Sequence, residues 1–371
     1  PRRTSATVAA LMLSLAMVVG LGGIAAASYE SISEWIASTF NPDLFLSTSE
    51  QIGSRTFRFP ASMTDELRQV PGVAEVQPVR TFPVKVGGAP VVLVAIPMAA
   101  VAARTSARQA VQGDFLEMHR IGGEGKGLVI SENLAQLQAL KLGQTLDIPT
   151  PAGWLRLPVA GVVRDYSGQQ GTVFLDSSVY QRYWKSDAVD IFRVYLQAGA
   201  RSAEVKQRIL ERFSGQRRLF VLLNKEVKDF IFQITDQWFG MTYVQIFIAV
   251  LVAVLGIVNT LTVSIADRRR ELGVLRAVGG LASQIRHTIW LEAAMIAAVG
   301  LILGLALGAV NLYYQLEMSR RDFSGMTLDY RFPWTIAAAL LPVIAGAALA
   351  ASIGPAEAAV RGSLVEALEY E

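Results

Sequence analysis

Four stretches of the chain are apolar for about 20 residues at a time, the length that crosses ~30 Å of hydrocarbon. They cover residues 6–28, 241–266, 288–313 and 333–353. None carries Lys, Arg or Asp, and Glu292 is their one carboxylate. Arg2 and Arg3 precede the first stretch, and Arg268, Arg269, Arg270, Arg276 and Arg286 lie between the second and third. The bias of basic residues to the cytoplasmic side puts both groups inside. Residues 29–240 and the short loop 314–332 then lie outside, and the C-terminus lies inside. The first stretch has a signal-peptide reading as well, since Ala25-Ala26-Ala27 resembles a cleavage site. Its apolar run exceeds the ~7–15 residues of such signals, which favours a retained helix.

Residues 29–240 change character. They hold 23 basic and 21 acidic residues, a soluble balance, and suffice for a core of their own. Residues 73–79, 82–86, 91–96, 154–163, 173–175 and 191–196 read as strands. Ser62 and Asp65 suggest a capped short helix closed by Pro71-Gly72. Leu128-Val129-Ile130 reads as a strand feeding a helix capped by Ser131, with Gly143 of Lys141-Leu142-Gly143 as its end. Val205, Ile209 and Phe213 recur at four-residue spacing, one face of an amphipathic helix. The sum predicts an α+β domain. Val227, Phe230, Ile231, Ile234 and Trp238 continue at helical spacing, and no Pro or Gly intervenes between Asn224 and Phe239. A stalk helix running straight into the second span is predicted, ~60 Å over residues 225–265, with a break near Gly240 as the alternative.

Residues 267–280 read DRRRELGVLRAVGG. Leu272, Leu275 and Val278 form an apolar row, and the arginines supply a polar side. This fits an interfacial helix held by anionic lipid headgroups, or a helix docking into a partner protein. Composition by itself favours lipid. Gly300, Gly304 and Gly308 at spacing four suggest close helix packing, as do Ser14, Gly20 and Gly23 in the first span. Asn259 suggests an interhelical hydrogen bond. Glu292 suggests structural pairing with Arg276 or Arg286 rather than proton transport.

Composition narrows the chemistry. Hydrophobic residues make up 52% of the 371 and charged residues 18%, below the ~25% of a soluble domain. A net charge of +3 gives no reason to expect nucleic acid. The absence of Cys excludes disulfides, thiolate catalysis and iron–sulfur ligation. GGEGKG at 122–127 fails the P-loop in spacing and in lacking the hydroxyl after Lys126, so it is expected to be a flexible loop and the chain not to be an ATPase. His119 beside Asp114 and Glu117 is the sole metal-like cluster, and a surface loop accounts for it.

ELGVLRAVGG at 271–280, preceded by Asn259-Thr260, resembles the FtsX-like permease domain of ABC transporters. Glu292-Ala293, the spaced glycines and the ending with Pro355-Ala356, Arg361 and VEALEYE fit the same domain, although Glu369 stands where the family commonly has Arg. LRQVPGVAEV at 67–76, GLVISENLAQ at 127–136, LKLGQTL at 140–146 and VAGVVRDY at 159–166 resemble the MacB-type periplasmic core domain. The resemblance, to a MacB/LolC-like permease, covers nearly the whole chain. It implies an α-helical membrane protein of four transmembrane helices with a large inserted α+β extracytoplasmic domain. The domains implied are a first helix at 1–28, the outer domain with its stalk at 29–240 and a permease domain at 241–371.

The resemblance also implies a bacterial plasma (inner) membrane location, no cofactor on this chain, and ATP with Mg on a separate ABC ATP-binding subunit. That subunit would dock on the coupling helix 267–280, which moves the reading from lipid to docking. Arg268, Arg269, Arg270, Glu271, Leu272, Leu275, Arg276 and Val278 are the coupling residues expected. A second permease unit is implied as well, whether an identical copy, a sister permease or an N-terminal copy in the same chain; the Pro1 start is compatible with a piece of a duplicated protein. With little polar lining in the spans, mechanical transmission to the outer domain is expected. The cargo would be a lipoprotein, lipid, peptide or hydrophobic compound. The alternatives are a regulatory FtsX-like protein activating an outer partner such as a cell-wall hydrolase, a membrane-anchored sensor or scaffold, and a metal-dependent enzyme built on His119.

Overall fold

The computed structural model describes residues 2–39, 41–49, 57–104, 110–215, 218–267, 281–320 and 328–361. The chain divides into two compact units. One holds residues 1–28, 236–317 and 329–371, and the other holds residues 29–235 and 318–328.

The second unit is built on one ten-stranded sheet in the order β10-β1-β9-β2-β3-β8-β5-β7-β4, with β6 paired to β7. The strands are β1 (Leu44–Ser47), β2 (Val73–Val86), β3 (Ala89–Ile96), β4 (Ala110–Gln112), β5 (Leu128–Ser131), β6 (Thr145–Thr150), β7 (Gly153–Val163), β8 (Thr172–Asp176), β9 (Ile191–Leu196) and β10 (Phe220–Leu223). The helices are α2 (Met63–Arg68), α3 (Met98–Arg104), α4 (Phe115–Gly123), α5 (Glu132–Leu137), α6 (Ser177–Trp184) and α7 (Ser202–Phe213).

Strand β2 belongs to two half-sheets at once. Its first half, Val73–Val79, pairs with β9, and its second, Arg80–Val86, with β3. The sequence reading split this segment in two because Arg80-Thr81 interrupts the apolar pattern. Arg80 instead turns inward at the junction, where Nη1 donates to both carboxylate oxygens of Asp190 at 2.6 and 2.7 Å, while Thr81 N donates to Asp190 at 2.7 Å. Burial acts to lower the Arg80 pKa, but the bonds to Asp190 and Tyr180 overrule it and hold it above its ordinary value. Each half-sheet has its own core. Leu93, Ile130, Ile148 and Leu175 lie in one, and Leu46, Phe192, Val205 and Ile209 in the other.

The amphipathic helix is present as α7, with Val205, Ile209 and Phe213 all buried. Other expectations are corrected. Ser62 does not cap α2, because it is already helical (φ −55°) in a turn that begins at Pro60, whereas a cap needs extended backbone. Helix α5 ends at Leu137, well before Gly143, which occupies a positive-φ turn entering β6. His119 lies on α4 rather than on a surface loop. It is buried, with Nδ1 2.8 Å from the Phe115 carbonyl, so that nitrogen carries the proton. Asp114 caps the same helix by accepting from Glu117 N. Gly122 and Gly123 of the GGEGKG stretch are the last turn of α4, not a loop, and Gly122 packs on Met98.

The first unit is helical: the inner part of α1 (Arg2–Thr39), most of α8 (Asn224–Asp267), α9 (Ala282–Met318) and α10 (Trp334–Arg361). Among the described residues three helices are long and apolar enough to cross a membrane, over Val8–Ala37, Ala282–Met318 and Trp334–Gly354. Helix α8 carries a shorter apolar stretch, Tyr243–Gly256. The helix is unbroken at Gly240.

Candidate functional site

In the first unit the apolar pattern makes a notched contact between α1 and α9. Leu11, Leu15 and Val19 recur every four residues on α1 and are buried. Opposite them stand Gly300, Gly304 and Gly308 of α9. A Cβ on Gly300 would collide with Leu11, one on Gly304 would stand 2.7 Å from Leu15 Cβ, and one on Gly308 2.6 Å from Val19 Cβ. A ridge of α1 therefore sits in a groove that only glycine leaves open, the small-residue packing by which membrane helices associate. Ala293, Ile296, Leu340, Ile344 and Ala348 complete this core. Gly23 accommodates Leu312 in the same way, and Gly20 faces Asn311 and Gln315. Ser14 is half-buried on the same helix. The sequence reading passed over Asn311 and Gln315, whose signal was two amides at the end of an apolar run.

The other intramembrane residues are placed differently. Glu292 is half-buried on α9. Arg286, one of its expected partners, reaches Glu357 of α10 at 2.9 Å. That pair spans 71 residues and has no sequence signature. Asn259 is exposed on α8, on the same side as exposed Val244, Ile248, Leu251, Val252 and Leu255. The coupling residues Arg268, Arg269, Arg270, Glu271, Leu272, Leu275, Arg276 and Val278 lie outside the described residues, as do residues 362–371.

In the second unit two helices leave from paired strands. Strand β1 follows α1, strand β10 leads directly into α8, and the two strands pair antiparallel. Asn224 at the head of α8 donates through its backbone N to Asp43 O at 3.0 Å, and its side chain donates to Pro42 O at 2.5 Å. Tyr29 of α1 and Phe232 of α8 stack at 5.6 Å. Glu226 accepts from Leu223 N and pairs with Lys206. Burial works against its charge, yet these bonds hold its carboxyl below the usual carboxylate range. Behind this root, Asn41 accepts from Tyr195 Oη at 2.9 Å. Trp35 Nε1 donates to Asp165 at 3.2 Å. Burial pushes the Arg193 guanidinium down, against the pull of Tyr195 and Asp165. Among the described residues no group of three or more His, Asp and Glu could hold a metal. The geometry is that of two helices rooted in paired strands of one sheet.

Comparison with known proteins agrees in both halves. The MacB-like periplasmic core domain matches residues 4–212, and the FtsX-like permease C-terminal domain matches residues 243–364. An uncharacterized ABC transporter permease protein of Mycobacterium tuberculosis is 25% identical over 95% of this chain and 42% of its own length. A macrolide export ATP-binding/permease protein, MacB 1/2 of Paracoccus denitrificans, is 28% identical over 70% of this chain and 39% of its own. The chain thus spans about two fifths of these relatives. The crystal structure of the periplasmic region of MacB from Actinobacillus actinomycetemcomitans covers 53% of this chain, at 16% identity and a TM-score of 0.40. With more than half its length matched by that one model, the chain belongs to the MacB-like periplasmic core domain family, and an FtsX-like permease C-terminal domain follows in the same chain.

Proposed function

We propose that this chain couples ATP hydrolysis by a separate ABC subunit to motion of its outer domain, for export or extraction of a lipoprotein, lipid, peptide or hydrophobic compound. The observation that carries the reading is α8. It is helical from Asn224, the residue after β10, to Asp267, the first residue of the docking segment. A 44-residue helix rises ~66 Å and transmits displacement along its axis. Tyr243–Gly256 of α8 serves as a fourth span beside the three of full length. Residues 29–240 then stand outside and the C-terminus inside the plasma membrane. The chain carries no catalytic group and no cofactor, and ATP with Mg resides on the partner. The partner docks on 267–280 through Glu271, Leu272, Leu275, Arg276 and Val278, with Arg268, Arg269 and Arg270 beside them. A second permease unit covers the exposed side of α8, where Asn259 has a polar group to offer, and lipid covers the remaining apolar surface. Macrolide export in the name of a relative supports a hydrophobic compound among the cargoes.

The test is a pull-down from native membranes through a C-terminal tag, comparing the natural chain with Leu275→Asp. An ATP-binding subunit is expected with the natural chain alone. Recovery with both moves the docking site away from Leu275. Recovery with neither, from folded protein, overturns the transporter reading and leaves a sensor or scaffold.

A further inference from the structure

Asp165 is 3% exposed, an unusual place for a carboxylate unless its charge is met by hydrogen bonds. It accepts from Ser167 N at 3.0 Å, Ser167 Oγ at 3.3 Å and Thr172 Oγ1 at 2.9 Å. Those bonds fix the β7–β8 connection, residues 164–171, from within. A further bond comes from 130 residues away, from Trp35 Nε1 of α1 at 3.2 Å. The indole is gripped a second time, since its ring stands edge-on to Tyr166 with centroids 5.9 Å apart. Arg193 of β9 places a positive charge near the same carboxylate, from the other half-sheet.

The connection has little slack. Asn133 Nδ2 donates to Gly168 O at 2.8 Å and to Gln169 O at 3.3 Å. Thr172 N donates to Ser131 Oγ at 2.7 Å. Gly171 sits at φ +103°, where a Cβ would meet the backbone of Leu134. A displacement arriving at Trp35 therefore meets a braced segment tied to β5, β7 and β8, and is passed on. Trp35 lies on a helix that runs uninterrupted from Arg2 to Thr39.

We propose that Asp165 is a positioning residue that locks the outer end of α1 to the β7–β8 connection through Trp35, making α1 a second transmitting rod beside α8. The role rests on the transmission reading above.

The absence of Cys allows labels at two exposed sites, Glu34→Cys on α1 and Gln169→Cys on the connection. Their separation is read by pulsed electron paramagnetic resonance on the full chain in phosphatidylethanolamine–phosphatidylglycerol nanodiscs. The measurement is made with and without the ATP-binding subunit and vanadate-trapped nucleotide. With Trp35 intact, one narrow distribution is expected, unchanged by nucleotide. Trp35→Phe keeps an aromatic ring but removes the N–H. It is expected to widen the distribution at least twofold and to make its mean nucleotide-dependent. Asp165→Asn, which keeps an acceptor oxygen and loses the charge, is expected to do the same. A distribution that stays narrow in Trp35→Phe overturns the proposal. So does a lower unfolding midpoint with no nucleotide dependence when the ATP-binding subunit is bound, which is what a purely structural contact would give. The nucleotide-free width needs no partner, so failure of an ATP-binding subunit to bind would defeat the transporter reading and still leave the lock decided.

Discussion

A Cβ added at Gly304 would stand 2.7 Å from Leu15 Cβ and 3.3 Å from the Met12 carbonyl oxygen, and the latter is backbone that cannot swing aside. Gly240 on α8 is the converse case, with no atom within 4 Å of its added Cβ. Gly304→Val should therefore destabilise the helical unit by about 1–3 kcal/mol through overpacking. Gly240→Ala should stabilise α8 by up to ~1 kcal/mol, the difference in helix propensity. Unfolding midpoints of the two variants in one detergent decide this, and equal shifts would mean that the α1–α9 groove is not closed. Asp190 offers a larger effect. Its side chain is 1% exposed and that of Arg80 11%. Asp190→Ala leaves the guanidinium buried without its counter-charge, which costs about 3–5 kcal/mol. Urea unfolding of the full chain, followed at the outer domain, is expected to show that loss. A shift under ~1 kcal/mol would mean that water reaches Arg80 freely and that the junction is weakly held.

Elements with a strong period were legible, and those made by packing were not. Val205, Ile209 and Phe213 announced α7, and the apolar runs announced β3 and three of the four spans expected, because burial on one face writes itself into the sequence at 3.6 or 2 residues. Ser131 was placed correctly at the start of α5, although its hydroxyl is spent on Thr172 N rather than on the helix. Helices α3 and α4 were missed because contacts such as Met98 on Gly122 hold them, and these leave no period in so few residues. Long-range ties, Arg286 to Glu357 and Trp35 to Asp165, have no local trace at all. Within the candidate site the glycine groove was therefore visible in advance, and the anchoring of α1 was not. The first turn of α8 yields a test in pH. The folded Glu226 carboxyl titrates below its ordinary 4.5. Its contribution is complete above the unfolded value and is lost as pH falls through the lower folded one. Leu223, whose N–H it accepts, should exchange with deuterium faster, relative to the intrinsic amide rate at each pH, as acid protonates Glu226. In Glu226→Gln that acid-dependent gain should vanish; if it persists, another group governs the root of the helix.

At the scale of the molecule, the function proposed needs an ATP-binding subunit outside this chain and a stiff helix within it. In that reading α8 is a shaft that moves the outer domain. Such a shaft works by its stiffness, which can be removed without touching either end. Three glycines inserted after Gly240, where an added Cβ would meet nothing within 4 Å, weaken the helix at ~1 kcal/mol per glycine of helix propensity. Hydrolysis by the ATP-binding subunit should persist within about twofold, because the docking segment lies beyond the insertion. The nucleotide-dependent change in deuterium exchange across residues 41–235 should fall by at least half, the remainder travelling through α1 and Trp35. Adding Trp35→Phe to the insertion should abolish it. An outer domain that still answers nucleotide in the doubly altered chain would show that neither helix transmits, and the coupling would then have to pass through α9, α10 or a second permease unit.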